Sequence, residues 1–116
     1  MKPIDTNAIQ STLDQWTGTP LYLHLETTNG AYASHKNAGM LSAGAFFRNA
    51  EITYERATIT GDGPYRIGIE TKLGWLYAEG LTDAEMTPDG ALLLAGHDDE
   101  GKLAACFELS ETPFPK

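Results

Sequence analysis

The stretch that decides the fold is residues 87–110, which read TPDGALLLAGHDDEGKLAACFELS. Two turn signals divide this stretch. In Thr87–Gly90 the proline presets φ and the glycine can take the left-handed position that a tight turn needs. Asp98–Gly101 is polar and also ends in glycine, which predicts a second turn. The stretch therefore predicts two antiparallel strands, Ala91–His97 and Lys102–Ser110.

The preceding residues repeat this alternation of short strands and turns. Asn29-Gly30 is the strongest hairpin signal, because both central positions of a type I′ turn need positive φ. Thr71–Gly74 predicts a similar turn. The other predicted strands are Leu21–Thr28, Ala31–Lys36, Ser42–Arg48, Ile52–Thr60, Tyr65–Thr71 and Trp75–Leu81. Roughly eight or nine short strands are typical of a small antiparallel β-barrel or a barrel-like sandwich.

The N-terminal segment predicts one short α-helix. Asp5 or Thr6 can cap it, because a short side-chain oxygen accepts hydrogen bonds from the free amides of the first turn. Ile9, Leu13 and Trp16 recur at spacings of four and three, which makes one apolar stripe. A helix of about three turns is marginal by itself. We therefore expect it to pack on the sheet through this stripe.

Composition limits the class of protein. The chain has 116 residues, a net charge of −8 and 41% apolar residues, which predicts a single domain over residues 1–116. The turn pattern makes this domain mainly β and barrel-like. The acidic charge argues against nucleic-acid binding, which needs clustered Lys and Arg. Met1–Asp5 lacks the apolar core of a signal peptide, and no apolar run approaches the ~18 residues of a membrane span. The single Cys106 fits a reducing compartment.

The predicted Asn29-Gly30 hairpin suggests a metal site. Its register places His24 opposite His35, with Glu26 on the same face. Two imidazoles and a carboxylate can bind zinc or ferrous iron, and His97 is a fourth candidate ligand if its strand pairs nearby. The alternative is that these residues form the solvated face of a half-buried strand.

A second group of candidates lies around the Thr71–Gly74 turn. The expected register places Glu79 on an apolar, aromatic-lined face, where it is either a general acid or base or a buried ion-pair partner of an arginine such as Arg66. Trp75, Tyr77 and Arg66, together with Tyr22, are also candidates to line a small-molecule pocket inside a barrel. The alternative for Trp75 is an ordinary place in the core.

Two further features have a structural and a functional interpretation. Cys106 lies in an apolar context with no positive neighbour, which favours a buried, inert thiol over a nucleophile. Leu92–Ala95 is apolar on both faces, which is typical of a central strand or of a dimer contact.

Six blocks of the sequence match a known family in order and spacing. They are His24–Thr28, Arg48–Ala50, Gly63–Arg66, Gly74–Thr82, Ala95–His97 and Gly101–Ala104. The chain resembles the YojF family of small uncharacterised proteins from Gram-positive, spore-former-type bacteria. The resemblance implies an all-β, barrel-like fold with a short N-terminal helix, a homodimer and a cytoplasmic location.

The resemblance also implies a partner. Family members are suggested to be encoded beside an LmbE-like zinc deacetylase of bacillithiol synthesis, which implies an accessory role. The matching blocks contain His24, Glu26, Arg66, Glu79 and His97 as candidate site positions, but they bring no catalytic assignment.

Three hypotheses of function follow. The first is a non-catalytic binding or accessory module, favoured because the sequence contains no secure catalytic constellation. The second is a metal-binding protein or a metal-dependent enzyme that uses the histidine hairpin. The third is a small-molecule-binding barrel.

Overall fold

The structure is a computed structural model that describes residues 1–27 and 44–115. These residues form one helix and nine strands. The elements are β1 Lys2–Pro3, α1 Thr6–Gln15, β2 Leu21–Thr27, β3 Phe46–Ile52, β4 Arg56–Thr60, β5 Tyr65–Thr71, β6 Gly74–Leu81, β7 Asp83–Met86, β8 Leu92–His97 and β9 Leu103–Ser110. The α1 helix has ten residues, and the described chain contains no helix with the length and apolarity of a membrane span.

The strands form two antiparallel sheets. The larger sheet has the order β1-β7-β8-β9-β2-β3, and the smaller sheet has the order β4-β5-β6. The prediction of a mainly β, antiparallel fold with one short helix is confirmed. Closure into a barrel is not found within residues 1–27 and 44–115. A closed barrel requires its edge strands to pair with each other, whereas both sheets remain open at their described edges.

One apolar core joins the two sheets and the helix. Fully buried side chains come from every layer, including Leu13 of α1, Leu23 and Phe107 of the larger sheet, and Ile67 and Ile69 of the smaller sheet. Each strand directs alternate residues into this core. The remaining side chains form an outer face on each sheet, and the candidate sites lie on these outer faces.

The helix follows the sequence prediction. Asp5 is the N-cap, and its side chain accepts from the amides of Asn7 and Ala8. Ile9 and Leu13 are buried. Tyr54 lies in the β3–β4 connection and donates its hydroxyl to the Leu13 carbonyl at 2.5 Å. This contact fixes the connection against the helix.

Some strand boundaries differ from the predictions. The predicted strands Ser42–Arg48 and Ile52–Thr60 are replaced by β3, which continues to Ile52, and by β4, which begins at Arg56. Tyr54, between the two strands, is buried against the helix. This contact is far away in sequence, so the local pattern could not predict it. The sequence also missed β1 and β7, because two and four residues are too few to show alternation. The predicted Asn29-Gly30 turn and its second strand, residues 31–36, lie outside the described residues.

The apolar run Leu92–Ala95 belongs to a central strand. β8 lies third in the larger sheet, between β7 and β9. Leu92 and Leu94 are buried in the core, while Leu93 and Ala95 pair with Glu108 and Cys106 on the outer face. The central-strand interpretation is therefore confirmed.

Candidate functional site

The outer face of the smaller sheet carries four large side chains in contact. We call Arg56, Arg66, Trp75 and Tyr77 the aromatic–arginine face. Trp75 is 45% exposed and Tyr77 is 46% exposed, although both are large aromatic residues. The core position that was the alternative for Trp75 is therefore wrong.

The four side chains form a continuous ladder. The rings of Trp75 and Tyr77 lie 5.9 Å apart and only 7° from parallel. The guanidinium carbon of Arg66 is 3.9 Å from the Tyr77 ring centroid, and that of Arg56 is 5.2 Å from the Trp75 centroid. Cation–π contacts at exposed sites contribute about 0.5–1 kcal/mol each. The ladder therefore holds two aromatic rings in fixed orientations at the surface.

Two carboxylates orient the arginines. Glu79 lies 2.9 Å from the Nε atom of Arg66, and Glu70 lies 3.7 Å from the Nε atom of Arg56. These pairs are solvent-exposed, so each contributes little to stability. Their effect is to hold the guanidinium groups beside the rings.

The strand register explains why this face points outward. The observed pairs include Ile67 with Ala78 and Gly68 with Tyr77. The predicted register had Glu79 opposite Ile67, and the observed one differs by a single residue. A shift of one residue moves every side chain to the opposite face. Glu79 is therefore exposed, and its pairing with Arg66 is a surface contact rather than a buried one.

Gly68 provides the space for the rings. A Cβ atom at this position would lie 3.1 Å from Cε1 of Tyr77 and 3.7 Å from Cζ3 of Trp75. Aromatic rings can thus cover the bare backbone of β5, an arrangement that also shields a strand glycine. Gly68 is therefore part of the aromatic–arginine face, and it was not among the residues predicted from the sequence.

A second cluster lies on the outer face of the larger sheet, around His24. This histidine is only 7% exposed. Arg48 lies 3.2 Å from His24 Nδ1, and because a guanidinium can only donate, Nδ1 is the acceptor. Glu108 lies 3.9 Å from His24 Nε2, and the Cys106 thiol donates to Glu108 at 3.2 Å.

The predicted metal ligands do not converge within the part of the chain that the structure describes. His24 lies beside Cys106 and Glu108, and the ligand atoms of these three lie within 4.8 Å of one another. Glu26 pairs with Cys106 in the sheet but does not belong to this group. His97 lies apart and pairs with Asp83 at 3.1 Å.

The predicted partner His35 lies outside the described residues. The positions beside His24 on both neighbouring strands are taken by Arg48 of β3 and Glu108 of β9. The hairpin prediction assumed that the neighbour of β2 would come from the next residues along the chain. The described neighbours come instead from strands further away in sequence.

The Cys106 thiol is held in its protonated form. Burial is the largest cause and the hydrogen bond to Glu108 the second largest, and together they raise the pKa of Cys106 to about 12. Since the thiolate is the reactive form, this agrees with the prediction of an inert thiol rather than a nucleophile. The predicted full burial is wrong, because the side chain is only half-buried.

The predicted small-molecule pocket is not formed as a unit. Tyr22 belongs to the larger sheet, whereas Trp75, Tyr77 and Arg66 lie on the outer face of the smaller sheet. A cleft of about 510 Å³ lies elsewhere, beside the β3–β4 connection, and none of these four residues lines it.

Comparison with known proteins identifies the family. The family model described as "Protein of unknown function (DUF1806)" matches residues 3–114. The chain belongs to the DUF1806 family. It is 46% identical over 114 residues to the uncharacterized protein YojF of Bacillus subtilis (strain 168), covering 98% of each chain. The crystal structure of Bacillus subtilis YojF matches with a TM-score of 0.81 and 41% identity, covering 99% of this chain and 97% of that one.

Membership of the DUF1806 family confirms the resemblance found in the sequence, and its description assigns no function. The sequence predicted neither the place of Arg56 on the aromatic–arginine face nor the pairing of Cys106 with Glu108. The signal for the latter was present, because residues two apart in a strand share a face. It became informative only once β9 was known to pair with β2.

Proposed function

We propose that this DUF1806 protein is a non-catalytic binding module that docks a partner protein on its aromatic–arginine face. The observation that carries the proposal is the exposed, ordered stack of Trp75 and Tyr77 between two arginines. Trp, Tyr and Arg are the residues enriched at the energetic centres of protein interfaces. Because the ladder already orients the rings, binding costs less side-chain entropy there.

Charge supports a protein partner. Arg56 and Arg66 have exposed guanidinium groups whose carboxylate partners, Glu70 and Glu79, lie within the same chain and remain accessible. A carboxylate of the partner can therefore join these pairs at the rim. The net charge of −8 additionally steers the whole chain toward a basic surface.

The second cluster supports a binding role over nucleophilic catalysis. Cys106 stays protonated at neutral pH because its pKa is raised. His24 is covered by Phe46 and Phe114, whose rings lie 5.3 and 6.5 Å from its own. The cluster therefore offers no free thiolate as a nucleophile, and its imidazole is shielded from a large substrate.

The resemblance supplies a specific partner for the proposal. An LmbE-like zinc deacetylase of bacillithiol synthesis is the protein we propose to dock on this face. We further propose that the module acts in the cytoplasm as a homodimer. Analytical ultracentrifugation of the chain alone tests the dimer, and a monomer at all concentrations would contradict it.

Calorimetric titration with this deacetylase tests the docking surface. Truncation at the centre of an interface typically costs at least about 2 kcal/mol, so Trp75→Ala and Tyr77→Ala should each weaken binding by about thirtyfold. Met86→Ala is the matched control, because Met86 is 49% exposed but lies in the larger sheet. Equal affinity of all three variants would refute the surface, and no binding of the unmodified chain would refute the partner.

A further inference from the structure

The cluster on the outer face of the larger sheet contains three different metal-binding side chains. His24 of β2 pairs with Glu108 of β9, and Cys106 lies two residues from Glu108 on the same face. Their ligand atoms lie within 4.8 Å of one another. We infer that His24, Cys106 and Glu108 form a binding site for a borderline-soft divalent cation of the zinc class.

The distances suit a small tetrahedral cation. Tetrahedral zinc with bonds of about 2.0–2.3 Å holds neighbouring ligand atoms about 3.3–3.8 Å apart. The Cys106 Sγ atom lies 3.2 Å from Glu108 Oε2, and His24 Nε2 lies 3.9 Å from the same oxygen. The remaining separation, between the ligand atoms of His24 and Cys106, is at most 4.8 Å, so side-chain rotation would have to shorten it by about 1 Å on binding.

The ligand chemistry selects the type of cation. A thiolate, an imidazole and a carboxylate together favour zinc or ferrous iron, whereas calcium and magnesium prefer oxygen ligands alone. On binding, the thiol proton of Cys106 leaves to solvent and the sulfur binds the cation. Glu108 loses its hydrogen bond from the thiol and binds the cation instead. Each cation bound therefore releases one proton, so affinity rises with pH.

The fourth coordination position has a candidate within the sheet. Glu26 pairs with Cys106 across β2 and β9 and is half-buried. Its charge already acts on the Cys106 thiol, and a change of side-chain rotamer would bring its carboxylate closer. Otherwise water completes the coordination, as in zinc sites with three protein ligands.

Arg48 contacts both the proposed ligand His24 and the segment at residues 113–115, so cation binding at His24 affects this segment. It donates to His24 Nδ1, so a neutral ring keeps its proton on Nε2, the atom that faces Glu108. Metal binding at Nε2 moves that proton to Nδ1. Nδ1 and Arg48 are then both donors, so the hydrogen bond between them is lost. Arg48 also donates to the Pro115 carbonyl at 2.6 and 3.0 Å and lies over the Phe114 ring. Cation binding should therefore loosen the contact with Phe114.

A cobalt titration tests the site, because a cobalt–thiolate bond gives a charge-transfer band in the near ultraviolet. We expect the band to saturate at one equivalent of Co²⁺ and to decrease when zinc is added. Cys106→Ser should abolish it, and Glu108→Gln should weaken binding by about tenfold or more. His97→Ala is the matched control, because His97 also pairs with a carboxylate but lies outside the cluster.

A second variant separates a real site from a folding defect. Arg48→Gln places an amide oxygen where the guanidinium donates, and this oxygen can accept from a metal-bound histidine. Outer-shell partners of this kind change affinity by about 10- to 100-fold, so Arg48→Gln should bind Co²⁺ more tightly than the unmodified chain. Absence of the band in the unmodified chain, or a band that survives Cys106→Ser, would overturn the inference. Neither result bears on the aromatic–arginine face, which lies in the other sheet.

Discussion

The contact between Gly96 and Gly80 provides a sharp test of how the two sheets pack. Gly96 lies in β8 of the larger sheet and Gly80 in β6 of the smaller one. A Cβ atom added at Gly96 would lie 3.0 Å from the Gly80 carbonyl carbon and would overlap the carbonyl oxygen. Because the obstacle is backbone, it cannot rotate aside, and the strands themselves have to separate.

Gly96→Ala should therefore destabilise the fold strongly. Overpacking of a core costs typically about 1–3 kcal/mol, and a backbone clash belongs at the upper end, about 3 kcal/mol. The reduced entropy of the unfolded alanine chain returns about 0.4–1 kcal/mol, which leaves a net loss of about 2–3 kcal/mol. At about 4 °C per kcal/mol for a domain of this size, Tm should fall by roughly 8–12 °C.

Urea denaturation followed by circular dichroism measures this loss directly. Gly44→Ala is the control, because a Cβ there meets only the Thr27 carbonyl oxygen at an ordinary 3.7 Å. The control should remain within about 0.5 kcal/mol of the unmodified chain. If Gly96→Ala did the same, the close approach of β6 to β8 would be refuted.

Three further predictions concern the two outer faces. Gly68→Ala places a methyl group 3.1 Å from the Tyr77 ring, so calorimetry should show weaker partner binding, with stability changed by less than about 1 kcal/mol. Asn49→Ala removes two hydrogen bonds to the Phe114 backbone, of 2.7 and 2.8 Å, and puts alanine at a φ of 57°. Hydrogen exchange at the Phe114 amide should therefore accelerate. Unchanged exchange would show that Asn49 does not hold the Phe114 backbone in place. Since its pKa rises from 9.0 to about 12, Cys106 should react with iodoacetamide at pH 8 roughly a thousandfold more slowly in the folded than in the urea-unfolded chain.

The raised pKa of Cys106 also makes the stability of the fold depend on pH in the alkaline range. The folded state keeps the Cys106 proton at a pH where the unfolded state has lost it. The free energy of unfolding should therefore fall as pH rises above about 9, and Cys106→Ser should reduce this slope.

Local signals predicted much of the fold. The cap at Asp5 and the stripe of Ile9 and Leu13 were sufficient for the helix. Turn residues located the strands Tyr65–Thr71, Leu92–His97 and Leu103–Ser110 to within one or two residues. Sheet closure and strand order could not be predicted in this way, because they depend on pairing between residues far apart in sequence.

The candidate sites likewise differ in whether local sequence or distant strand pairing brings their residues together. Arg66, Trp75, Tyr77 and Glu79 lie together on one face, because a single local turn joins β5 to β6. The expected register was one residue off, and it placed Trp75, Tyr77 and Glu79 on the same face as Ile67. The cluster around His24 forms only because β2 pairs with β9, a strand near the other end of the chain. No local pattern in the sequence contains that pairing.

The central claim is that the aromatic–arginine face binds the partner, and the two tryptophans of the chain allow a direct test. The indole N–H of Trp16 donates to Glu111 at 3.1 Å in a partly buried setting, whereas Trp75 is exposed on the face. In a ¹H–¹⁵N spectrum each indole gives its own signal, so Trp16 is an internal control. Titration with the deacetylase should shift or broaden the Trp75 signal and leave the Trp16 signal unchanged. Binding that leaves the Trp75 signal in place would contradict the account.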